Sequence, residues 1–438
     1  MSLYGGAAGL ALALRLSEVK SQTVVVLEAG QFPDIVKAYT TTGAGQQVLG
    51  GRGVGGSTLV NGLTYGRCSS SIYDLWQDLG NEGWDWDSVL PYFEKSTSFV
   101  PVDVAPYQTY NASAYSDNGP IALSYPTYAT TPRQPSSKLW KASMFQQLML
   151  SGIGPQAILQ NYGSRSTCMQ DHFYFSVIAR AQTNNSASQL YNRVDLMQTA
   201  QQEYSANHSG PLKTPIGPTY GFRQLSTEEL QSLGAAEALA NQTAQAQIEY
   251  LWEDIYYPAV PSMVLPLYPN WKTESFIPVT AALLSPVSRG NVTLQTNTIQ
   301  DAPAININYL ESTMDQQIAL FMFRSLRTVL SQPVLCQHTV GPDYGKVVPG
   351  VDVEDDATIL EYIKSTLQPV WQAAGTCRML PRNEGGVVDG RLRVYGVDGL
   401  RVIDASIFPV IPDNHTQGPG YMVAEKAADT IKEDYNLN

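Results

Sequence analysis

Four histidines are the side chains of this 438-residue sequence that titrate near neutral pH without help, and one of them, His415, stands in the run Asn414-His415-Thr416-Gln417-Gly418-Pro419. A histidine there can move a proton at a reacting oxygen, or it can sit satisfied in a pocket wall. His172 follows Asp171 and reads as a packing or hydrogen-bonding residue, while His208 and His338 lie among polar neighbours. No spacing supports a Ser-His-Asp arrangement or a metal-ligand cluster, and Cys68, Cys168, Cys336 and Cys377 form no Cys-x-x-Cys pair. A second chemistry is suggested by Gly5-Gly6-Ala7-Ala8-Gly9, small residues that run into a helical stretch. Such a turn lets backbone amides and a helix N-terminus cradle a diphosphate. Gly6 and Gly9 match the second and third glycines of Gly-x-Gly-x-x-Gly, but Tyr4 stands in the place of the first. Glu28 is at the right distance to hold ribose hydroxyls.

These groups need elements to position them. Leu10–Leu16 reads as a helix, and Thr23–Leu27 as a strand of the continuous β-branched kind buried in parallel sheets. Only Met1, Ser2 and Leu3 remain for the strand that should precede the glycine turn. Residues 46–67 are glycine-rich, and Trp76, Trp84 and Trp86 mark packed short helices in 73–95. Residues 145–160 read as helical, and 195–255 as two polar helical stretches. Residues 256–312 alternate short apolar runs with turns, as strands do. Residues 314–332 and 355–367 read as amphipathic helices, Leu400–Asp404 as a strand, and Met422 to about Asp434 as a closing helix.

Composition narrows the partners. A chain with 43% hydrophobic residues and 438 positions can bury one large or two ordinary cores. No apolar run is long enough to span a membrane. A net charge of −12 opposes binding to nucleic acid or anionic lipid. Sequons at Asn111, Asn184, Asn207, Asn241, Asn291 and Asn414 tilt the expectation towards a secretory route.

Five collinear segments carry a family resemblance: Gly5–Gly30, Gly51–Asp74, Leu150–Pro155, Leu284–Val292 and Trp371–Asp429. The last contains Gly375-Thr-Cys-Arg-Met, Val387-Val-Asp389, Gly399-Leu-Arg-Val-Ile-Asp404-Ala-Ser and the His415 run. Together they resemble the glucose–methanol–choline (GMC) oxidoreductases. The resemblance implies α/β plus α+β architecture: a doubly wound, FAD/NAD(P)-binding-like domain, here truncated, with an antiparallel-sheet substrate domain. The nucleotide part would comprise residues 1–100 with 138–172, 284–300 and 375–438; an irregular connection, 101–137; and the substrate part, 173–283 with 301–374.

By the same resemblance, Gly6, Gly9, Glu28, Gly55, Gly56, Asn61, Asp404 and Ala405 fall where relatives hold FAD, and His415 matches one of two active-site residues. The partner histidine is expected just before Ala373-Ala374-Gly375-Thr376-Cys377, where this chain has Gln372. Glutamine donates and accepts hydrogen bonds but does not titrate. Other departures cluster on the flavin side. About twenty residues separate Tyr125 from Leu148, Cys68 replaces a small residue, and the stretch between Gly30 and Gly50 reads as lacking a hairpin. The losses spare the substrate pocket, so the expectation is a versicolorin B synthase-like, non-redox member with no cofactor, which closes a polyketide-derived hydroxy-aldehyde or hemiacetal by acid/base cyclodehydration. An aromatic small-molecule ligand would suit 25 tyrosines. The alternatives are an FAD-dependent alcohol oxidase or dehydrogenase of the aryl-alcohol type, and a pseudoenzyme or incomplete chain.

Overall fold

A computed structural model describes residues 1–28, 37–40, 47–51, 53–59, 61–101, 114–125, 167–182, 190, 193–213, 219–252, 274–298, 301, 303–336, 338–341 and 346–437. The expectations for Leu148–Pro155, for the helix at 145–160 and for the apolar run Val260–Leu265 lie outside these residues.

The chain opens with β1 (Ser2–Tyr4), α1 (Ala7–Ser17) and β2 (Val25–Leu27), the two strands pairing in parallel. Helix α1 forms because Ala and Leu dominate it, and it buries Ala7, Ala8, Leu12 and Leu16 on one face. β3 (Lys37–Thr40) and β4 (Gln47–Gly50) pair antiparallel, so the hairpin read as missing before the glycine-rich segment is present in short form. Helices α2 (Ser70–Asp78) and α3 (Trp86–Ser96) follow, then β5 (Thr97–Phe99) and β6 (Ile121–Leu123), which pair in parallel. β6 therefore interrupts the stretch read as an irregular connection.

The second half builds one mixed-length antiparallel sheet. It contains β8 (Phe173–Arg180), β9 (Thr219–Arg223), β10 (Ile248–Trp252) and β11 (Phe276–Leu283), with helices α4 (Val194–Asn207) and α5 (Thr227–Ser232) between β8 and β10. β7 (Thr167–Met169), β12 (Gly290–Thr293) and β13 (Ala304–Asn306) make a separate three-stranded sheet. After α6 (Thr313–Leu330) come β14 (Lys346–Val348), α7 (Asp356–Thr366) and β15 (Gln368–Pro369), and both strands add to β8. The large sheet thus runs β14-β8-β11-β10-β9. Every residue of β11 is buried, and Ile318, Met322 and Phe323 of α6 join its core. The chain ends in α8 (Gln417–Asp434), five residues longer at its start than the sequence pattern suggests. Leu400–Asp404 is not a strand; a single bridge joins Arg393 to Arg401 there.

Among the described residues, two large hydrophobic cores and a small one around Met169 and Val292 result. One of the large cores lies under the large sheet; the other joins α1, α2, α3 and α8 around Trp76, Trp84, Phe93 and Phe408. Indole N–H groups that would otherwise be orphaned donate to the carbonyls of Val410 and Gly390, at 3.0 and 2.9 Å. Glu425 of α8 is buried and accepts from Arg15 Nε at 2.7 and 3.0 Å, which ties α1 to α8 across 410 residues of sequence. The nucleotide-type sheet is different: it has two described strands, and Tyr4, Val25 and Leu27 are 68%, 45% and 48% exposed. Burying such side chains contributes about 1.5–3 kcal/mol each in a completed sheet.

Glycine at position 9 is demanded by packing, since a Cβ there would lie 1.8 Å from the Tyr4 carbonyl oxygen. Gly9→Ala is expected to lower unfolding free energy by about 1–3 kcal/mol. Gly62→Ala, whose Cβ would meet nothing within 4 Å, should change it little. Equal effects of the two in chemical denaturation would show that α1 does not pack on β1 as described.

Candidate active site

His415 lies just before α8, where its backbone N–H donates to Asn414 Oδ1 at 2.6 Å. Its ring is held at both nitrogens. Nε2 faces Glu249 Oε1 at 3.0 Å, and Nδ1 faces Gln372 Nε2 at 2.8 Å. Gln372 Oε1 in turn faces His172 Nδ1 at 2.9 Å. The Tyr220 ring meets the His415 imidazole edge-on at 5.3 Å, and its hydroxyl lies 2.6 Å from Thr64 Oγ1.

The chemistry of the end group fixes the polarity of this line. A carboxylate only accepts, so Glu249 requires a proton on His415 Nε2. In the neutral ring Nδ1 is then an acceptor, and it takes an N–H from Gln372. The Gln372 carbonyl is left to accept from His172 Nδ1–H. Burial, the largest influence on His172, pushes its pKa down to about 4, against the raising effect of the Gln372 hydrogen bond, so that ring is neutral at pH 7. The Glu249 side chain is 2% exposed and the His415 side chain 15%, so the imidazole can be reached where the carboxylate cannot.

Backbone strain helps to aim Gln372. Trp371 adopts φ +56°, in the left-handed region that costs a non-glycine residue about 1–2 kcal/mol. The next residue's N–H donates to Asp171 Oδ1 at 2.9 Å, and Tyr309 Oη donates to Asp171 Oδ2 at 3.0 Å. Cys68 is similarly left-handed, at φ +66°, which explains why a small residue suits that position.

Sequence reasoning named His415 and Gln372 and the structure places them in contact. It described His172 as a hydrogen-bonding or packing residue without linking it to them. Glu249 and Tyr220 were missed, because residues 195–255 read as helical whereas β9 and β10 occupy part of that stretch; Thr64 was missed within the glycine-rich stretch 46–67. The signal was there: Glu249 is a single acid inside the apolar run Ile248–Trp252, and all but Leu251 of that run is buried.

Of the residues expected near FAD, Gly6, Gly55 and Glu28 lie together around the glycine turn, and Asp404 and Ala405 make contacts of their own. Gly6 caps α1 without a side-chain acceptor, which leaves the helix N-terminus open to an anion. Gly55 N–H donates to Gly5 O at 2.8 Å, so the two glycine turns lie together. Gly55 and Gly56 take φ +108° and +60°, which glycine allows at no steric cost. Glu28 is folded over the turn, its Oε2 within 2.4 Å of where a Gly5 Cβ would be. Asn61 links this group to the His415 segment through Gln417, at 3.5 Å. Asp404 accepts from Ser406 N–H at 2.8 Å, and Ala405 O accepts from Gly375 N–H at 3.3 Å. The turn therefore fits the diphosphate and ribose of a dinucleotide, while the sheet beside it is cut to two described strands.

Burial pushes the buried Asp171 carboxyl up to about 7, outweighing the lowering effect of its donors. An acid with its folded pKa raised stabilises the fold below its unfolded pKa, near 4, and that contribution is lost as pH rises through about 7. Asp171→Asn should therefore flatten the fall in melting temperature between about pH 4 and about 7. An unchanged slope would contradict the burial of an ionisable group there.

Comparison with known proteins matches this architecture. GMC oxidoreductase family models cover residues 5–142 and 286–424. The dehydrogenase pkfF of Emericella nidulans is 27% identical over 572 aligned positions, covering 98% of this chain and 92% of the relative. Versicolorin B synthase of Aspergillus parasiticus is 27% identical over 569, covering 97% and 86%. Both alignments are longer than this 438-residue chain, so each relative carries segments that this chain lacks. Among solved structures, formate oxidase of Aspergillus oryzae superposes with a TM-score of 0.83 at 21% identity, covering 100% of this chain and 98% of the other. A fungal aryl-alcohol oxidase superposes with a TM-score of 0.79 at 21% identity, covering 99% of each. At such identities the superpositions establish the fold: an FAD-binding-type α/β part with a sheet-containing substrate part. The family models span well over half the sequence, and the chain belongs to the GMC oxidoreductase family.

Proposed function

We propose that this chain is an acid/base enzyme of the GMC fold that closes an oxygen-rich, polyketide-derived substrate by cyclodehydration, with His415 as the proton carrier. The observation that carries the reading is the His415–Glu249 contact, continued through Gln372 to His172. In the neutral ring, Nδ1 holds the lone pair. A substrate hydroxyl that displaces the Gln372 amide gives its proton to Nδ1 while its oxygen forms the new C–O bond. The imidazolium so formed is stabilised by Glu249. The same Nδ1–H then protonates the departing hydroxyl, which leaves as water. One C–O bond forms, one breaks, and no electron acceptor is needed. The freed Gln372 amide can donate to the substrate oxygen that it has admitted. Similarity to versicolorin B synthases supports this reading at 27% and 25% identity.

A second reading, an FAD-dependent alcohol oxidase or dehydrogenase, is favoured by the uncapped α1 N-terminus and by Glu28 over the glycine turn. In that reading Gly6, Gly9, Glu28, Gly55, Gly56, Asn61, Asp404 and Ala405 hold the cofactor. FAD would supply the hydride acceptor, and His415 would take the hydroxyl proton.

A hydroxy-aldehyde offered without any electron acceptor separates the two. Wild type is expected to release water and cyclised product, and His415→Ala to lose roughly 10²–10⁴-fold in rate. Glu249→Gln, which no longer dictates the Nε2–H tautomer, should lose roughly 10²-fold or more. Turnover that appears only when a dye or dioxygen is added would overturn the cyclodehydration reading.

A further inference from the structure

Arg67 carries an unmet demand that the His415 site does not use. Its Nε and Nη2 are buried and have no hydrogen-bond partner among the described residues. The guanidinium lies over the Tyr115 ring at 5.1 Å from the centroid, which satisfies its face but not its in-plane N–H groups. Buried N–H groups without hydrogen bonds are costly. The orphaned pair is specific, because Nε–H and Nη2–H form the side-on fork that takes the two oxygens of a carboxylate.

The same arginine lines a cavity of about 340 Å³, walled by Tyr65, Tyr115 and Phe222, with Asn414 and Asp413 among its polar residues. Asp413 is not free to answer Arg67. Its carboxylate already accepts from Ser69 N–H and Ala246 N–H, each at 2.9 Å, and from the Ser69 hydroxyl. The cavity adjoins the catalytic line on two sides. Asn414 precedes His415, and Phe222 stands opposite Glu249 in the β9–β10 ladder.

We propose that this cavity is a binding site for an aromatic carboxylate, whose carboxylate is gripped side-on by Arg67 and whose ring packs among Tyr65, Tyr115 and Phe222. Such an anchor orients the substrate of the acid/base reaction proposed above, and so it rests on that reading for its purpose. Its binding is measured without turnover, and failure of either claim leaves the other readable.

The test uses the full chain and 4-fluorobenzoate, with 4-fluorobenzamide as the uncharged isostere, titrated by fluorine NMR at constant ionic strength. The carboxylate is expected to bind at least about tenfold tighter than the amide. Arg67→Met should abolish that preference, and Arg67→Lys, which keeps the charge but not the fork, should leave a preference of about two- to threefold. Equal binding of acid and amide to the wild type would overturn the proposal, and so would a preference that survives Arg67→Met. The wild-type comparison decides alone if the substitutions prevent folding.

Discussion

The contact between Glu249 and His415 is the constraint on which the rest of the site depends. A buried carboxylate must be answered by donors, and here the answering group is an imidazole at 3.0 Å. Because the carboxylate can only accept, its presence sets the tautomer of His415, then the orientation of the Gln372 amide, then the tautomer of His172. Those four side chains come from β10, from the segment before α8, from the turn after β15 and from the residue before β8. The line therefore stitches the sheet core to the helical core. Its geometry holds only while both are packed.

Much of this was legible in the sequence, for reasons that can be named. Helices α6 and α7 announce themselves through apolar spacing and through the N-caps Ser312 and Asp355, whose side chains accept the first-turn amides. The place of His415 and Gln372 follows from collinear motifs. What stayed hidden was tertiary. Residues 195–255 contain helix-forming Gln, Ala and Glu, yet β9 and β10 form there because β11, fully buried, needs an antiparallel partner on its β10 side. With β10 unseen, Glu249 had no reason to face His415. The short hairpin of β3 and β4 was overlooked because too few residues seemed available for it.

On the nucleotide side, the described residues keep the glycine turn and a small parallel sheet. The glycine turn, the α1 N-terminus and the Gly9–Tyr4 approach preserve an anion cradle. Among the described residues, the parallel sheet beside it consists of β1 and β2, whose side chains Tyr4, Val25 and Leu27 meet solvent. The aligned relatives carry segments that this chain lacks. The substrate side shows, among the described residues, a six-stranded sheet over a dense core.

That contrast makes flavin occupancy the most direct test of the central claim, which is that His415 and its partners work by proton transfer alone. The purified full-length protein would be examined by its visible absorption spectrum, then denatured to release and quantify flavin. The account expects a colourless, folded protein that still forms cyclised product. Stoichiometric flavin, reduced when substrate is added in the absence of oxygen, would contradict it.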